Sequence, residues 1–252
     1  MIYARSGADA LAQRTAITSP GTGNLHWGTV FFGPRSSSGA APGPQATMSD
    51  LNANETIVPH FHGVSMFQLF VAGYGTIGSR GQVLEPLTVQ FKDHHTAYGP
   101  LAAGAHGLTF ISLRNKTGDS HPIYLSKPGY REKLKPSKRR NWVSSNIALS
   151  TEAVLQFRKD IAWEPVYDPA NIEDEMSAHI VRLGASMSAM VPDPRLGGGT
   201  YLFVANGDLE IEGNSLPRWS MVFVEAGKDA VEMRAGHKGL EALVMQFPKD
   251  DE

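Results

Sequence analysis

Two stretches of this chain repeat the same order of features about 132 residues apart. The first comprises Leu69-Phe70-Val71-Ala72-Gly73, Val89-Gln90-Phe91 and Ala103-Gly104-Ala105-His106-Gly107-Leu108. The second comprises Leu202-Phe203-Val204-Ala205-Asn206-Gly207, Met221-Val222-Phe223 and Ala235-Gly236-His237-Lys238-Gly239-Leu240. The spacing between corresponding segments is constant to one residue. One supersecondary plan is therefore used twice, and a repeat on this scale overrides element-by-element readings.

Each copy is a series of short runs rich in Val, Phe, Leu, Ile and Thr, divided by Gly, Pro, Asn and Asp. Examples are Gln68–Val71, Leu87–Phe91, Thr109–Leu113, Tyr201–Val204, Met221–Glu225 and Ala242–Phe247. β-branched and aromatic residues suit a half-buried pleated surface, and continuous helical periodicity is scarce. The pattern predicts an all-β chain of two tandem sandwiches or barrels. The expected boundaries are residues 1–115 for the first, 116–150 for a Pro-punctuated connector and 151–252 for the second. The Ala-Gly-x-x-Gly-Leu segments read as turns. Ser36 to Gln45, rich in Ser, Gly and Pro, reads as a long loop, either a lid or a plain insertion.

Composition limits the chemistry. At 252 residues, 41% hydrophobic and 19% charged with a net charge of −2, the chain has the make-up of an ordinary globular protein. No apolar run is long enough to span a bilayer, and Met1-Ile2-Tyr3-Ala4-Arg5 lacks the pattern of a signal peptide, so no membrane partner and a cytoplasmic location are expected. The absence of cysteine excludes disulfides, thiolate metal sites and a cysteine nucleophile. Near-neutral charge argues against nucleic acid as a partner. The basic run Arg131, Lys133, Lys135, Lys138, Arg139 and Arg140 reads as a solvated connection, or as a contact for an anionic partner or substrate.

The chemistry-bearing motif is His60-Phe61-His62. In an extended segment, side chains at i and i+2 share a face, so both imidazoles can address one centre. That is half of a metal site, imidazole being the commonest ligand for zinc, iron, copper and nickel. Gln68, then Gly75, follow it.

The order HxH, a polar residue six positions on, a glycine seven beyond that, and a second glycine-rich turn about thirty residues later resembles the cupin superfamily. Because the resemblance covers both halves, it points to a bicupin of a poorly characterised bacterial metal-binding group that carries a Tyr-Gly-Pro turn, here Tyr98-Gly99-Pro100. It implies two jelly-roll barrels, the first holding a divalent metal. His60 and His62 match the two motif histidines, and Gln68 stands near the family's glutamate. Five residues separate His62 from Gln68, where the family has three or four. A neutral Gln68 either ligates the metal through its carbonyl or orients a water or substrate. The third histidine is His95 or His106, with His94 behind them. His95 is preferred because His106 lies in a segment that the second copy shares without a site. Shifting the HxH by one repeat lands in Pro192-Asp193-Pro194-Arg195, so the second barrel is expected to be structural or to build a homodimer face. His26, His121, His179 and His237 read as ordinary surface or turn residues.

The resemblance implies an enzyme acting on a small organic molecule. Fe(II) with a neutral ligand set suits a dioxygenase; Zn(II), Mn(II) or Ni(II) would suit Lewis-acid lyase or isomerase chemistry. Tyr98 can serve as proton donor or substrate contact, or can pack under its turn. A binding module without turnover would show the same HxH.

Overall fold

The computed structural model describes the chain apart from residues 20–21, 35–42, 119, 168–173 and 250–252. Its first part runs through β1 (Ile2–Arg5), α1 (Gly7–Ala12), β2 (Thr15–Thr18), β3 (Leu25–Phe32), β4 (Gln45–Leu51), β5 (Thr56–Ile57), β6 (His60–Phe61), β7 (Met66–Ile77), β8 (Gln82–Leu84), β9 (Val89–Lys92), β10 (Leu101–Arg114), β11 (Ile123–Tyr124) and β12 (Asn141–Val143). It continues through α2 (Glu152–Gln156), β13 (Ala162–Pro165), β14 (Ser177–Leu183), β15 (Ser188–Met190), β16 (Thr200–Ile211), β17 (Asn214–Pro217), β18 (Met221–Val224) and β19 (Glu232–Gln246). The chain is thus nearly all-β, with antiparallel pairing in every ladder. No helix among the described residues is long and apolar enough to cross a membrane.

Two compact units result: Gln13–Ile147, and Met1–Ala12 together with Ala148–Glu252. The first is built on the sheet β12-β9-β7-β10-β4-β3-β2, with β5 on β10, β8 on β7, and a separate β6–β11 pair. The second is built on β1-β18-β16-β19-β14-β13, with β15 on β19 and β17 on β16. Neither ladder closes on itself among the described residues.

These units correct the boundaries expected from sequence. β1 does not join the sheet that follows it; Ile2 pairs with Val224 and Arg5 with Met221. The expected connector likewise supplies β11, which pairs with β6, and β12, which pairs with β9. A sheet edge presents unpaired N–H and C=O groups, and each of these short extended segments satisfies one. Such strands are made by what they pair with and carry little pattern of their own. Most of the expected lid, residues 36–42, lies outside the described residues.

The repeat is a repeat of topology. The run β9-β7-β10-β4 in one unit has the order of β18-β16-β19-β14 in the other, and β8 folds onto β7 as β17 folds onto β16. Register follows: Gln68 pairs with Gln90 and Ser112, and Leu202 pairs with Val222 and Val244. The loops repeat too. Leu87, with a positive φ of 66°, donates its N–H to Phe70 O, and Trp219, at 71°, donates its own to Val204 O.

The glycine-rich segments are not turns, as sequence suggested, but bulges within the long strands β10 and β19. Gly73 and Gly207 have φ of +75° and +73°, and a Cβ there would stand 2.3 and 2.0 Å from the carbonyl oxygens of Gly107 and Gly239. Glycine at both positions lets two backbones cross where a side chain would hold them apart.

Gly73→Ala and Gly207→Ala are each expected to destabilise their unit by about 2 kcal/mol or more, from left-handed backbone strain and a backbone clash. Gly213→Ala, at φ +75° with nothing within 4 Å, should cost only about 1 kcal/mol. Denaturant midpoints of the three variants check the order, and equal losses would refute the crossing argument.

Candidate functional site

The site is assembled by short pairings around β6. His60 exchanges backbone hydrogen bonds with Tyr98, its N–H donating to Tyr98 O at 3.1 Å and its carbonyl accepting from Tyr98 N–H at 3.0 Å. Tyr124 of β11 pairs with His60 on the other side. Strand alternation turns Phe61 away and leaves His60 and His62 on one side, their rings edge to face with centroids 5.1 Å apart.

Both imidazoles are fixed by backbone. His60 Nδ1 lies 2.9 Å from Val58 O, and His62 Nδ1 lies 2.8 Å from Ser120 O. A carbonyl only accepts, so each Nδ1 carries the proton and each Nε2 presents a lone pair. The two Nε2 atoms converge on the Tyr98 hydroxyl, at 2.6 Å from His60 and 3.2 Å from His62. One phenolic proton serves two acceptors, and the shorter distance assigns it to His60.

Burial keeps this cluster uncharged. It pulls His60 down to about 4 and His62 well below the usual histidine range, and the charges of Lys92 and Arg114 add to the effect. Burial also pushes the Tyr98 phenol up. The three groups face a cavity of about 400 Å³. Its walls include the apolar Leu51, Ile57, Leu101 and Phe110 and the polar Gln68 and Arg114, with no Asp or Glu among the described lining residues.

Lys92 lies behind that cavity, 2% exposed in the interior of the sheet. Its ammonium group donates to Gln68 Oε1 at 2.6 Å and Gln90 Oε1 at 3.2 Å, and lies 3.1 Å from the centroid of the Tyr98 ring. Burial, and then the charge of Arg114, pull its pKa well below that of an ordinary lysine. The two amide oxygens and the ring face oppose that shift, since they are acceptors for a cation. Arg114 Nη1 donates to Gln45 Oε1 at 2.7 Å.

The structure therefore brings His60, His62, Gln68 and Tyr98 to one place. It does not bring His95 or His106 there. The His95 ring packs against Phe61 at 5.7 Å, on the side from which the two site imidazoles turn away. His106 is exposed in the β10 bulge. His94 stacks edge-on against His95 and donates its backbone N–H to Ser65. Among the described residues, no group of three His, Asp or Glu side chains is placed to hold a metal.

Sequence reasoning missed other members. His26 and His121, read as ordinary, line the cavity. Arg114 was legible in principle, since Phe110, Ser112 and Arg114 alternate along one strand. Lys92 stands at the end of the strand Val89–Lys92, just past the run Leu87–Phe91 read from sequence. The basic run is only partly solvated: Arg140 forms a buried ion pair with Asp93 at 2.8 Å, and Arg139 donates to His95 O.

No family model matches the chain, and no curated protein matches it in sequence. Solved structures do resemble it. A candidate dioxygenase from Nostoc punctiforme superposes with a TM-score of 0.64 at 8% identity, over 100% of this chain and 84% of that one. Salicylate 1,2-dioxygenase from Pseudaminobacter salicylatoxidans gives 0.59 at 13%, over 98% and 84%. YhhW from Escherichia coli gives 0.57 at 12%, over the whole of both chains. These are cupin-fold proteins, and at such identities the likeness is one of fold.

The buried neutral histidines predict an acid-sensitive unit. Between pH 6.5 and about 4 the unfolded chain binds a proton that folded His60 does not, so stability falls as pH drops through that window. At about 1.4 kcal/mol per pH unit, His60 alone accounts for roughly 3 kcal/mol by pH 4. Urea midpoints of chelator-treated protein at pH 7 and pH 5 should differ accordingly, and His60→Gln should flatten the difference.

Proposed function

We propose that the chain is a bicupin, two tandem jelly rolls, whose Gln13–Ile147 unit is a metal-dependent enzyme acting on a small organic molecule, of the non-haem iron dioxygenase class. The observation that carries this reading is the pair of neutral imidazoles whose Nδ1 protons are tied to carbonyls and whose Nε2 lone pairs converge in a cavity of small-molecule size. Carbonyl-anchored imidazoles with the opposite nitrogen presented are the arrangement of metal-binding histidines.

The donor chemistry fits a divalent metal held by His60 Nε2, His62 Nε2 and the Tyr98 oxygen, in place of the three-histidine set expected from sequence. Bound there, such a metal supplies Lewis acidity or, as iron, redox chemistry with dioxygen. The residues of the chain have separate tasks. Tyr98 holds a proton against His60 Nε2 and can pass it to a substrate oxygen. Leu51, Ile57, Leu101 and Phe110 exclude water from the ligand and orient its apolar part. Gln68 does not offer its carbonyl to the metal, because Lys92 occupies it. The fold-level neighbours support the class: one is a salicylate dioxygenase, and a second structure of YhhW, from the same bacterium, is described as a bacterial pirin in complex with nickel(II).

A second reading, a cupin that binds its small molecule without turnover, is favoured by the lack, among the described residues, of a third histidine or carboxylate placed to complete a metal-holding group with His60 and His62. Metal content of protein purified without added metal, followed by oxygen uptake with catechols, β-diketones and aromatic acids, separates the two. Iron without oxygen consumption would sink the dioxygenase, and zinc or nickel would move the chemistry to a Lewis-acid lyase or isomerase. His60→Ala and His62→Ala should each abolish stoichiometric metal, Tyr98→Phe should lower its occupancy, and His95→Ala, His106→Ala and His237→Ala should leave it unchanged. Metal retained in both of the first two variants would refute the site.

A further inference from the structure

The two units carry the same row of inward positions with opposite chemistry. Across β9, β7, β10 and β4 the paired residues are Gln90, Gln68, Ser112 and Thr47. Across β18, β16, β19 and β14, in the same register, they are Val222, Leu202, Val244 and His179. Lys92, next inward from Gln90, corresponds to Val224. Val222, Leu202, Val244 and Val224 all belong to one apolar cluster. The fold is therefore satisfied by hydrocarbon at the positions of Gln90, Gln68, Ser112 and Lys92, with His179 standing where the first unit has Thr47, and the polar set in the first unit needs another reason, since buried polar groups cost free energy unless they are hydrogen-bonded.

The orientation of that set is informative. An ammonium group only donates, so Gln68 must turn Oε1 to Lys92 and point its amide nitrogen the other way, where Ser112 Oγ lies 3.5 Å off. Two residues along the same face of β10 stands Arg114, a permanent cation that lines the cavity with Gln68, Ser112 and Thr47. An amide N–H₂, two hydroxyls and a guanidinium form one wall; leucines, an isoleucine and a phenylalanine form part of the rest. Such a wall suits an anion with an apolar body.

We propose that Gln68, Ser112, Thr47 and Arg114 are a carboxylate subsite, and that the ligand of this cavity is a small organic acid whose apolar part extends towards His60, His62 and Tyr98. Lys92 acts on it as a positioning residue, by fixing which end of the Gln68 amide faces the ligand. The substrate class rests on the reading of the cavity as a ligand site; it does not depend on which metal is bound, or on turnover.

Calorimetric titration of the full chain, as purified, with acetate, benzoate and phenylacetate, each against its neutral amide, tests the proposal. At least one acid should bind ten-fold or more tighter than its amide. Ser112→Val and Gln68→Leu, which install the residues of the second unit, should each weaken that acid at least ten-fold and leave the amide within two-fold. Arg114→Gln should do the same, and if it fails to fold the other two variants decide. Lys92→Met should erase part of the preference for acid over amide, an effect that loss of packing alone would not produce. No binding by any of the acids, equal binding of acid and amide, or unchanged acid affinity in Ser112→Val and Gln68→Leu would overturn the subsite. Metal content measured on the same samples keeps the readings apart: acid binding without metal refutes the metal centre alone, and metal without acid preference refutes the subsite alone.

Discussion

The pairing of β7 with β10 is the constraint on which the candidate site depends, and β16 with β19 repeats it. These are the long central strands of the two sheets, and each pair passes through a bulge where Gly73 meets Gly107 or Gly207 meets Gly239. Because side chains alternate along a strand, a slip of one residue would turn every inward group outward. The register places Gln68 beside Ser112, and the alternation that follows from it carries Arg114 to the same face. The glycine crossing therefore governs chemistry some distance from it, by deciding which residues the cavity meets.

The interior of the Gln13–Ile147 unit is held by a polar economy of a particular kind. Two imidazoles stay neutral because burial, aided by the charges of Lys92 and Arg114, opposes a second proton, while the carbonyls that accept from Nδ1–H fix the tautomer. The Tyr98 hydroxyl lies between their lone pairs, and the Lys92 ammonium lies against the Tyr98 ring. Positive charge is thus brought close to the cluster without entering it. A metal at the two Nε2 atoms and an anion at Gln68, Ser112 and Arg114 would each offset what the other introduces, since opposite charges in a poorly solvated space attract strongly. The second unit does without this arrangement, filling the corresponding row with Leu202, Val222 and Val244.

Parts of the site were legible because they rest on local rules. An HxH in an extended segment puts two imidazoles on one side whatever surrounds it; Gln68 was found through its place relative to it, and Tyr98 through the Tyr-Gly-Pro turn of the family resemblance. The third histidine failed for a physical reason. His95 is adjacent in the backbone, its N–H donating to His62 O at 2.7 Å, yet its positive φ of 53° and its packing on Phe61 carry the ring to the other side. His106 entered through a segment taken for a turn, and that segment is a bulge whose exposed residues look outward. The edge strands β1, β11 and β12 were missed because a short strand at an edge is specified by its partner.

By itself, the sequence determined a nearly all-β chain built twice on one plan, with a paired-histidine motif in the first copy only. Side-chain alternation, turn-forming residues and a constant repeat spacing are local or periodic properties, and they survive without knowledge of contacts. Only the tertiary structure decided what surrounds the histidines: Tyr98 instead of a third imidazole, Lys92 turning the Gln68 amide, and Arg114 on the wall. Those are meetings between strands distant in sequence, and they are set by register and by the packing of one side chain against another, which no local pattern encodes.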